Sequence, residues 1–275
     1  MKKFLYLFAT LLFLASCVGQ KDDPIPEPDP DPDPIDKPED PDDPPVEEGD
    51  DFFRRVLALE FTGTWCQYCP RMAYALDEAM EARPDRFVDI AIHAYDDLEA
   101  KECAGIVSLF GVSAFPTMVF DWNKSTAFSD QKASLMTAYA DKAIAGGAPC
   151  GMALSSKMDA GLLSVTVRIK AAEPGTYKLF AALVEDGVIV NQTGAGANFS
   201  CRGVLLGYFG NDYSKGRSAE LMDGDEYATS YTADIPEHPA QCRIVAYVMR
   251  DAVVVNAAAA PLYTTTDFAY EKVVP

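Results

Sequence analysis

Two cysteines separated by two residues, in Thr64-Trp65-Cys66-Gln67-Tyr68-Cys69-Pro70, are the residues whose types and spacing point most directly to chemistry. The thiolate is the nucleophile and the thiol is not, so the reactive member of such a pair is the one that loses its proton more easily. The run Val56-Leu57-Ala58-Leu59-Glu60-Phe61 before the motif reads as a buried strand. Met72, Leu76, Ala79 and Met80 after it recur at helical spacing, predicting a helix over 66–83 that ends before Pro84. Cys66 then stands at a helix N-terminus, where unpaired backbone N–H groups and the positive end of the helix dipole favour negative charge. That makes Cys66 the candidate nucleophile. Cys69, one turn further on, is the partner that closes a disulfide with it and resolves mixed disulfides. A zinc half-site would need two more ligands at short spacing. The histidines, His93 and His238, stand alone as packed or surface residues, so no metal is expected. A permanent structural disulfide is the remaining alternative.

Glu60 lies six residues before Cys66 on the entering strand, where a buried carboxylate could relay the proton that Cys69 must lose. Downstream, Phe115-Pro116-Thr117 opens the apolar strand Met118-Val119-Phe120. Its proline suits a cis bond, and its exposed backbone could pair with an extended substrate. Between the two motifs the pattern is helix, strand, helix: an alternating strand over 87–93 and a helix over 98–110 closed by Gly111. A further helix over 130–145, stopped by Gly146-Gly147, follows the Pro116 strand and a partner strand near Thr126-Ala127-Phe128. These features resemble the thioredoxin superfamily over residues 52–146. The resemblance implies Cys66 as the attacking and Cys69 as the resolving cysteine, Trp65 as the tryptophan before the pair, Pro116 as the cis-proline and Glu60 as the buried acid. Trp65, Phe115 and Thr117 would position the substrate. Pro70 and the dipeptide Gln67-Tyr68 depart from the most familiar members, so the redox potential does not carry over. The implied partners are protein or peptide thiols and disulfides, with no cofactor, and the chemistry requires Cys66 to be readily ionised and reachable.

The chain opens with Lys2 and Lys3, an apolar run from Phe4 to Leu14 and then Leu14-Ala15-Ser16-Cys17, the arrangement of a secretory signal too short to span a membrane. Leu-Ala-Ser-Cys resembles a bacterial lipobox, which implies cleavage after residue 16 and lipid attachment to Cys17. Gln20-Lys21-Asp22-Asp23 resembles the export signal of surface lipoproteins in Bacteroidetes. From there to Asp51 the chain is mainly Pro, Asp and Glu, an extended acidic linker. The chain carries a net charge of −19, of which −13 falls on residues 20–51. Residues 52–275 carry −8 and hold no basic patch of the kind that binds nucleic acid.

The sequence therefore divides into a signal peptide (1–16), a lipid anchor and linker (17–51), an α/β thioredoxin-like domain (52–148) and a second domain (149–275). In the last, 162–169, 177–184, 203–209, 242–249 and 252–257 read as strands between turn signals, predicting an all-β antiparallel sandwich. The segment 191–200 reads as a flexible hairpin, with a binding loop as the other reading. Of seven cysteines, Cys103, Cys150, Cys201 and Cys242 are left for up to two bridges. A Cys201–Cys242 bridge would contribute ~4 kcal/mol in the chain-entropy model, whereas Cys103 sits on an apolar helical face as a free thiol. The whole arrangement resembles the Omp28-related outer-membrane lipoproteins of Bacteroidetes, with Leu183-Val184-Glu185-Asp186, Gln192 and Val253-Val254-Val255-Asn256-Ala257 carrying the looser match of the β half. It implies a protein in the outer membrane, anchored only through lipid and facing the cell surface or the periplasm. The expected activity is thiol–disulfide exchange, and the alternative is a non-catalytic binding lipoprotein with a fixed disulfide.

Overall fold

A computed structural model describes residues 48–211 and 213–272; the signal segment, Cys17 and the linker up to residue 47 lie outside the described residues. The elements follow in the order β1 (Glu48–Phe52), β2 (Val56–Thr62), α1 (Cys69–Ala82), β3 (Phe87–His93), α2 (Cys103–Phe110), β4 (Thr117–Phe120) and α3 (Ala133–Ala145). An all-strand half continues with β5 (Cys150–Asp159), β6 (Leu162–Ala171), β7 (Gly175–Glu185), β8 (Val188–Gln192), β9 (Gly196–Cys201) and β10 (Val204–Tyr208). Then come β11 (Arg217–Leu221), β12 (Glu226–Ala233), β13 (Cys242–Arg250), β14 (Val253–Pro261) and β15 (Tyr270–Lys272).

Every position of β2 is buried, because helices cover both faces of the sheet there; this is why its sequence is nearly continuous in apolar residues and does not alternate. Leu57, Leu59 and Phe61 pack with Ile106 and Val107 of α2. Val56 and Ala58 pack on the other face with Met72, Leu76 and Ala79 of α1 and Met136 and Ala140 of α3. Strand periodicity puts Glu60 and Thr62 next on that second face, beneath the start of α1.

The main sheet has the order β14-β13-β7-β10-β3-β2-β4, with β11 also paired to β7. β2 runs parallel to β3 and antiparallel to β4, as in a mixed thioredoxin-like sheet, and the strands beyond β10 are antiparallel. The sheet β12-β6-β5 packs against the outer part of the main sheet, with Leu154, Val165, Val167 and Ile169 meeting Leu179, Ala181, Ile244 and Ala246. β7 and β13 thus work on two sides. Phe180, Ala182, Val245 and Tyr247 join the core under α2, while Leu179, Ala181, Ile244 and Ala246 join the sandwich. The helices end at the expected division near 148/149, but hydrogen bonding crosses it where Ala91 of β3 pairs with Val204 of β10, and the folded part forms one compact unit.

Several local expectations are corrected. Glu48–Asp51, expected in the linker, form most of β1, whose Phe52 stacks on Tyr270 of β15 at 4.9 Å. The first helix starts at Cys69 instead of residue 66, and the second at Cys103 instead of residue 98. Before α2 the Asp96 carboxylate accepts the Leu98 N–H, a side-chain turn that competes with helix. Gly111 then ends α2 in the left-handed conformation, at φ 66°. Cys103, Cys150, Cys201 and Cys242 are all free and buried, so neither the Cys201–Cys242 bridge that the sequence allows nor another pairing among the four is formed. Burial raises the Cys103, Cys150 and Cys201 thiols to about 12 and Cys242 to about 11, which leaves them protonated at neutral pH. Among the described residues no helix is long and apolar enough to cross a membrane.

Candidate active site

The motif occupies the turn between β2 and α1. Cys66 and Cys69 are joined in a disulfide with their Cα atoms 5.5 Å apart. Pro70 sits in the first turn of α1, where its missing N–H costs nothing. The Cys69 N–H donates to Cys66 Sγ at 3.2 Å, so a thiolate formed there receives an amide hydrogen bond as well as the field of the helix start.

Two flanking segments hold this turn. From the loop after β3, Asp96 Oδ2 accepts the Thr64 N–H at 2.7 Å and the Ala94 carbonyl accepts Trp65 Nε1–H at 2.8 Å. From the β8–β9 hairpin, Gln192 Nε2 donates to the Gly63 carbonyl at 3.1 Å and to the Cys66 carbonyl at 2.9 Å, and the Thr193 N–H donates to the Thr64 carbonyl at 2.8 Å. Gly194, at φ +87°, lies so close to the Gln67 carbonyl that a Cβ would collide with it. The segment expected to be a flexible hairpin is therefore seated on the motif. Cys66 is 4% exposed and Cys69 1%, so the sulfur expected to be freely reachable is nearly covered.

Across the motif, Phe115–Pro116 is a cis peptide, as its sequence context suggested. The Phe115 ring lies 5.4 Å from Trp65 and 6.2 Å from Tyr95, bringing the proline loop beside the cysteines. Trp65 is 46% and Tyr95 71% exposed, which leaves an aromatic rim at the mouth of the site. Thr117 is buried, and its hydroxyl donates to the Ala114 carbonyl at 2.8 Å within the same loop.

Beneath the disulfide is a cavity of about 60 Å3 lined by Cys69, Glu60, His93, Asp89, Cys201 and Arg202 among others. Burial raises the Glu60 carboxyl from 4.5 to about 8, Asp89 pushes in the same direction, Arg202 opposes and Asp77 adds a little more. Arg202 bridges the acids on both sides, at 2.6 Å from Asp77 and 3.2 Å from Asp89, and Arg243 meets Asp89 at 2.8 Å. His93, also buried, shares its Nδ1 with Asp96 Oδ2 at 2.8 Å. Burial pushes the Asp96 carboxyl up, but hydrogen bonds from His93, Thr64 and Leu98 outweigh it and hold it below the ordinary carboxylate range.

The structure thus brings Cys66, Cys69, Trp65, Phe115 and Pro116 together on one side of the turn and Glu60 beneath it. Sequence reasoning gives no site role to His93, Asp96, Arg202 or Gln192, although Gln192 stands there among the residues of the looser family match. A histidine at the end of an alternating strand with an acid three residues on is a faint local signal for the first two. For Gln192 no local spacing shows the contact, because it reaches Cys66 across 126 residues. Among the described residues no group of three or more His, Cys, Asp or Glu side chains is arranged to hold a metal ion.

Comparison with known proteins agrees with this architecture. A thioredoxin family model matches residues 50–140. Sequence comparison with characterised proteins gives no match. Among solved structures, HBP35 of Porphyromonas gingivalis is similar at 19% identity and a TM-score of 0.65, covering 82% of this chain and 80% of its own. Protein AGR_C_4864 of Agrobacterium tumefaciens is similar at 15% identity and a TM-score of 0.50, over 78% of this chain and 97% of its own. At those identities the likeness is one of fold. The model of outer membrane protein Omp28 matches residues 105–263, more than half of the chain and across both of its halves, and on that ground the protein belongs to the Omp28 outer membrane protein family.

Proposed function

We propose that the protein is a thiol–disulfide oxidoreductase of exported proteins or peptides, working through Cys66 and Cys69. The observation that carries this reading is the cavity shared by Cys69 and the protonatable Glu60 directly beneath the disulfide. A merely structural disulfide has no use for such a group.

In the reducing direction the Cys66 thiolate attacks one sulfur of a substrate disulfide. A Cys66–substrate bond forms, and the other substrate sulfur leaves as a thiolate. Cys69 then gives up its proton into the cavity and attacks Cys66 Sγ, which forms the internal disulfide and frees the second substrate thiol. Two electrons have passed to the substrate. The oxidised pair accepts two electrons from a dithiol by the same steps in reverse, with Cys69 leaving as thiolate and regaining its proton. Trp65, Phe115 and Pro116 form the side against which an extended substrate would lie. The sulfurs carry the electrons, so the scheme calls for no cofactor.

A second reading, a binding protein with a permanent disulfide, draws on the 4% exposure of Cys66 and the hairpin seated on the motif. Insulin reduction by the purified protein, with Cys66→Ala as control, separates the two. Exchange predicts turnover that the control lacks; equal inertness would leave the binding module. Cys69→Ala should accumulate mixed disulfides through Cys66. We further propose that lipid on Cys17 anchors the protein to the outer membrane, facing outward, with no other membrane contact and no nucleic-acid partner. Cys17→Ser should release it into the soluble fraction, and accessibility of the folded part to an added protease on intact cells tests the orientation.

A further inference from the structure

We propose that His93, oriented by Asp96, takes the proton from Cys69 when the mixed disulfide is resolved near neutral pH. The inference rests on the exchange reading above and names the group that reading leaves open. Its basis is geometric. His93 ends β3 and lines the same cavity as Cys69, and its Nδ1 is engaged by Asp96 at 2.8 Å, which leaves Nε2 as the ring nitrogen Asp96 does not hold. A carboxylate on one ring nitrogen sets the tautomer and stabilises the imidazolium that forms when the other takes a proton. The same Asp96 oxygen also accepts the Thr64 N–H, so one carboxylate ties the histidine to the turn that carries Cys66.

The titratable groups that line the cavity with His93 are Glu60 from β2, Asp89 from β3, Cys69, Tyr74 and Asp77 from α1, and Cys201 and Arg202 at the end of the hairpin, and Asp96 from its own loop holds the ring. Most cannot serve. Asp89 and Asp77 are ion-paired with Arg202, and the Cys201 thiol is held protonated by burial. Glu60 is the expected relay, but burial lifts it to about 8, so at pH 7 it is mostly protonated and accepts a proton only through its minor ionised fraction. Imidazole is the usual base in that range. A cavity of about 60 Å3 with polar walls also has room for water to carry the proton across it.

In the step itself the Cys69 S–H bond breaks and its proton goes to His93 Nε2, directly or through such a water. The sulfur's electron pair forms the bond to Cys66 Sγ. The Cys66–substrate bond breaks, and the substrate sulfur leaves with that bonding pair to be protonated from the imidazolium or from solvent. Above pH 8 Glu60 ionises and can take the proton itself, so the need for His93 should fade there.

The two half-steps can be read separately with the chromogenic disulfide dithiobis-nitrobenzoate. The reduced protein releases one thionitrobenzoate when Cys66 attacks and a second when Cys69 resolves, and a Cys66→Ser/Cys69→Ser variant gives the background of the other thiols. His93→Gln should slow the second release relative to the first by about ten-fold or more at pH 7. The deficit should narrow toward pH 9. Asp96→Asn should do the same to a smaller extent. A His93→Gln ratio equal to wild type, or a deficit that is the same at pH 7 and pH 9, would overturn the assignment. Absence of any Cys66-dependent first release would instead overturn the exchange reading beneath it.

Discussion

Asp121 and Glu60 are both carboxylates buried in the thioredoxin-like half, yet their surroundings differ in kind. Asp121 follows β4 and is saturated with donors: Arg54 Nη2 at 2.6 Å, the Leu57 N–H at 3.0 Å and the Tyr139 hydroxyl at 3.0 Å. Its backbone also joins β2 and β14, through Leu57 and Val254. Burial pushes its pKa up, and Arg54 and those donors pull against it. Glu60 lines a cavity instead, with Asp89 as its strongest charged neighbour and Arg202 opposing. An acid surrounded by donors locks elements together, because moving it would strand several partners. An acid beside another acid and a cavity keeps a proton at neutral pH and can trade it with whatever enters. Burial is common to both, so burial alone does not identify a functional carboxylate.

The largest effect should come from breaking the saturated site. Asp121→Ala leaves the Arg54 guanidinium buried without its carboxylate and should cost ~3–5 kcal/mol in denaturant unfolding. The pH profile of exchange by the folded protein should keep its shape. Glu60→Gln should do the opposite. Between about pH 4.5 and 8 the native state holds a proton on Glu60 that the unfolded chain has lost, so native stability falls as pH rises through that window. The glutamine variant should lack this fall and be more stable than wild type at pH 8, by on the order of a few kcal/mol. A wild-type unfolding midpoint that does not change from pH 5 to pH 8 would contradict the assignment of Glu60. Tyr139→Phe removes one of the donors to Asp121 and should cost about 1–2 kcal/mol with no effect on exchange. The smallest effect is expected from Arg202→Gln, which removes the cation opposing Glu60. Carboxyl NMR should show the Glu60 titration moving further up, and a downward movement would contradict the opposing role of Arg202.

How much of this can be read from the chain depends on how far apart the interacting residues are. The span of β3 is visible residue for residue, because 87–93 is bounded by turn residues on both sides. Glu60 is recognisable as buried from its place in the β2 run, and Pro116 as a cis site from its place before β4. The start of α1 is displaced from residue 66 to Cys69, since apolar spacing marks a helical face but not its first turn. β1, β5, β8, β9, β11, β12 and β15 escape the strand reading. The hairpin and β12 are largely exposed and lack the apolar alternation of a core-facing strand. His93 reads as an isolated residue because its value comes from what stands across the cavity.

By itself the sequence determined the disulfide-bonded cysteine pair, the acid six residues before it, the proline loop and the change from helices to strands near residue 149, because each is written in spacings shorter than one element. The tertiary structure decided that the strand half shares its sheet with the thioredoxin-like half, that Gln192 holds the carbonyl of Cys66, and that His93 and Glu60 meet at one cavity. Those contacts join residues tens to more than a hundred positions apart, and no local periodicity records a pairing that only the packed sheet creates.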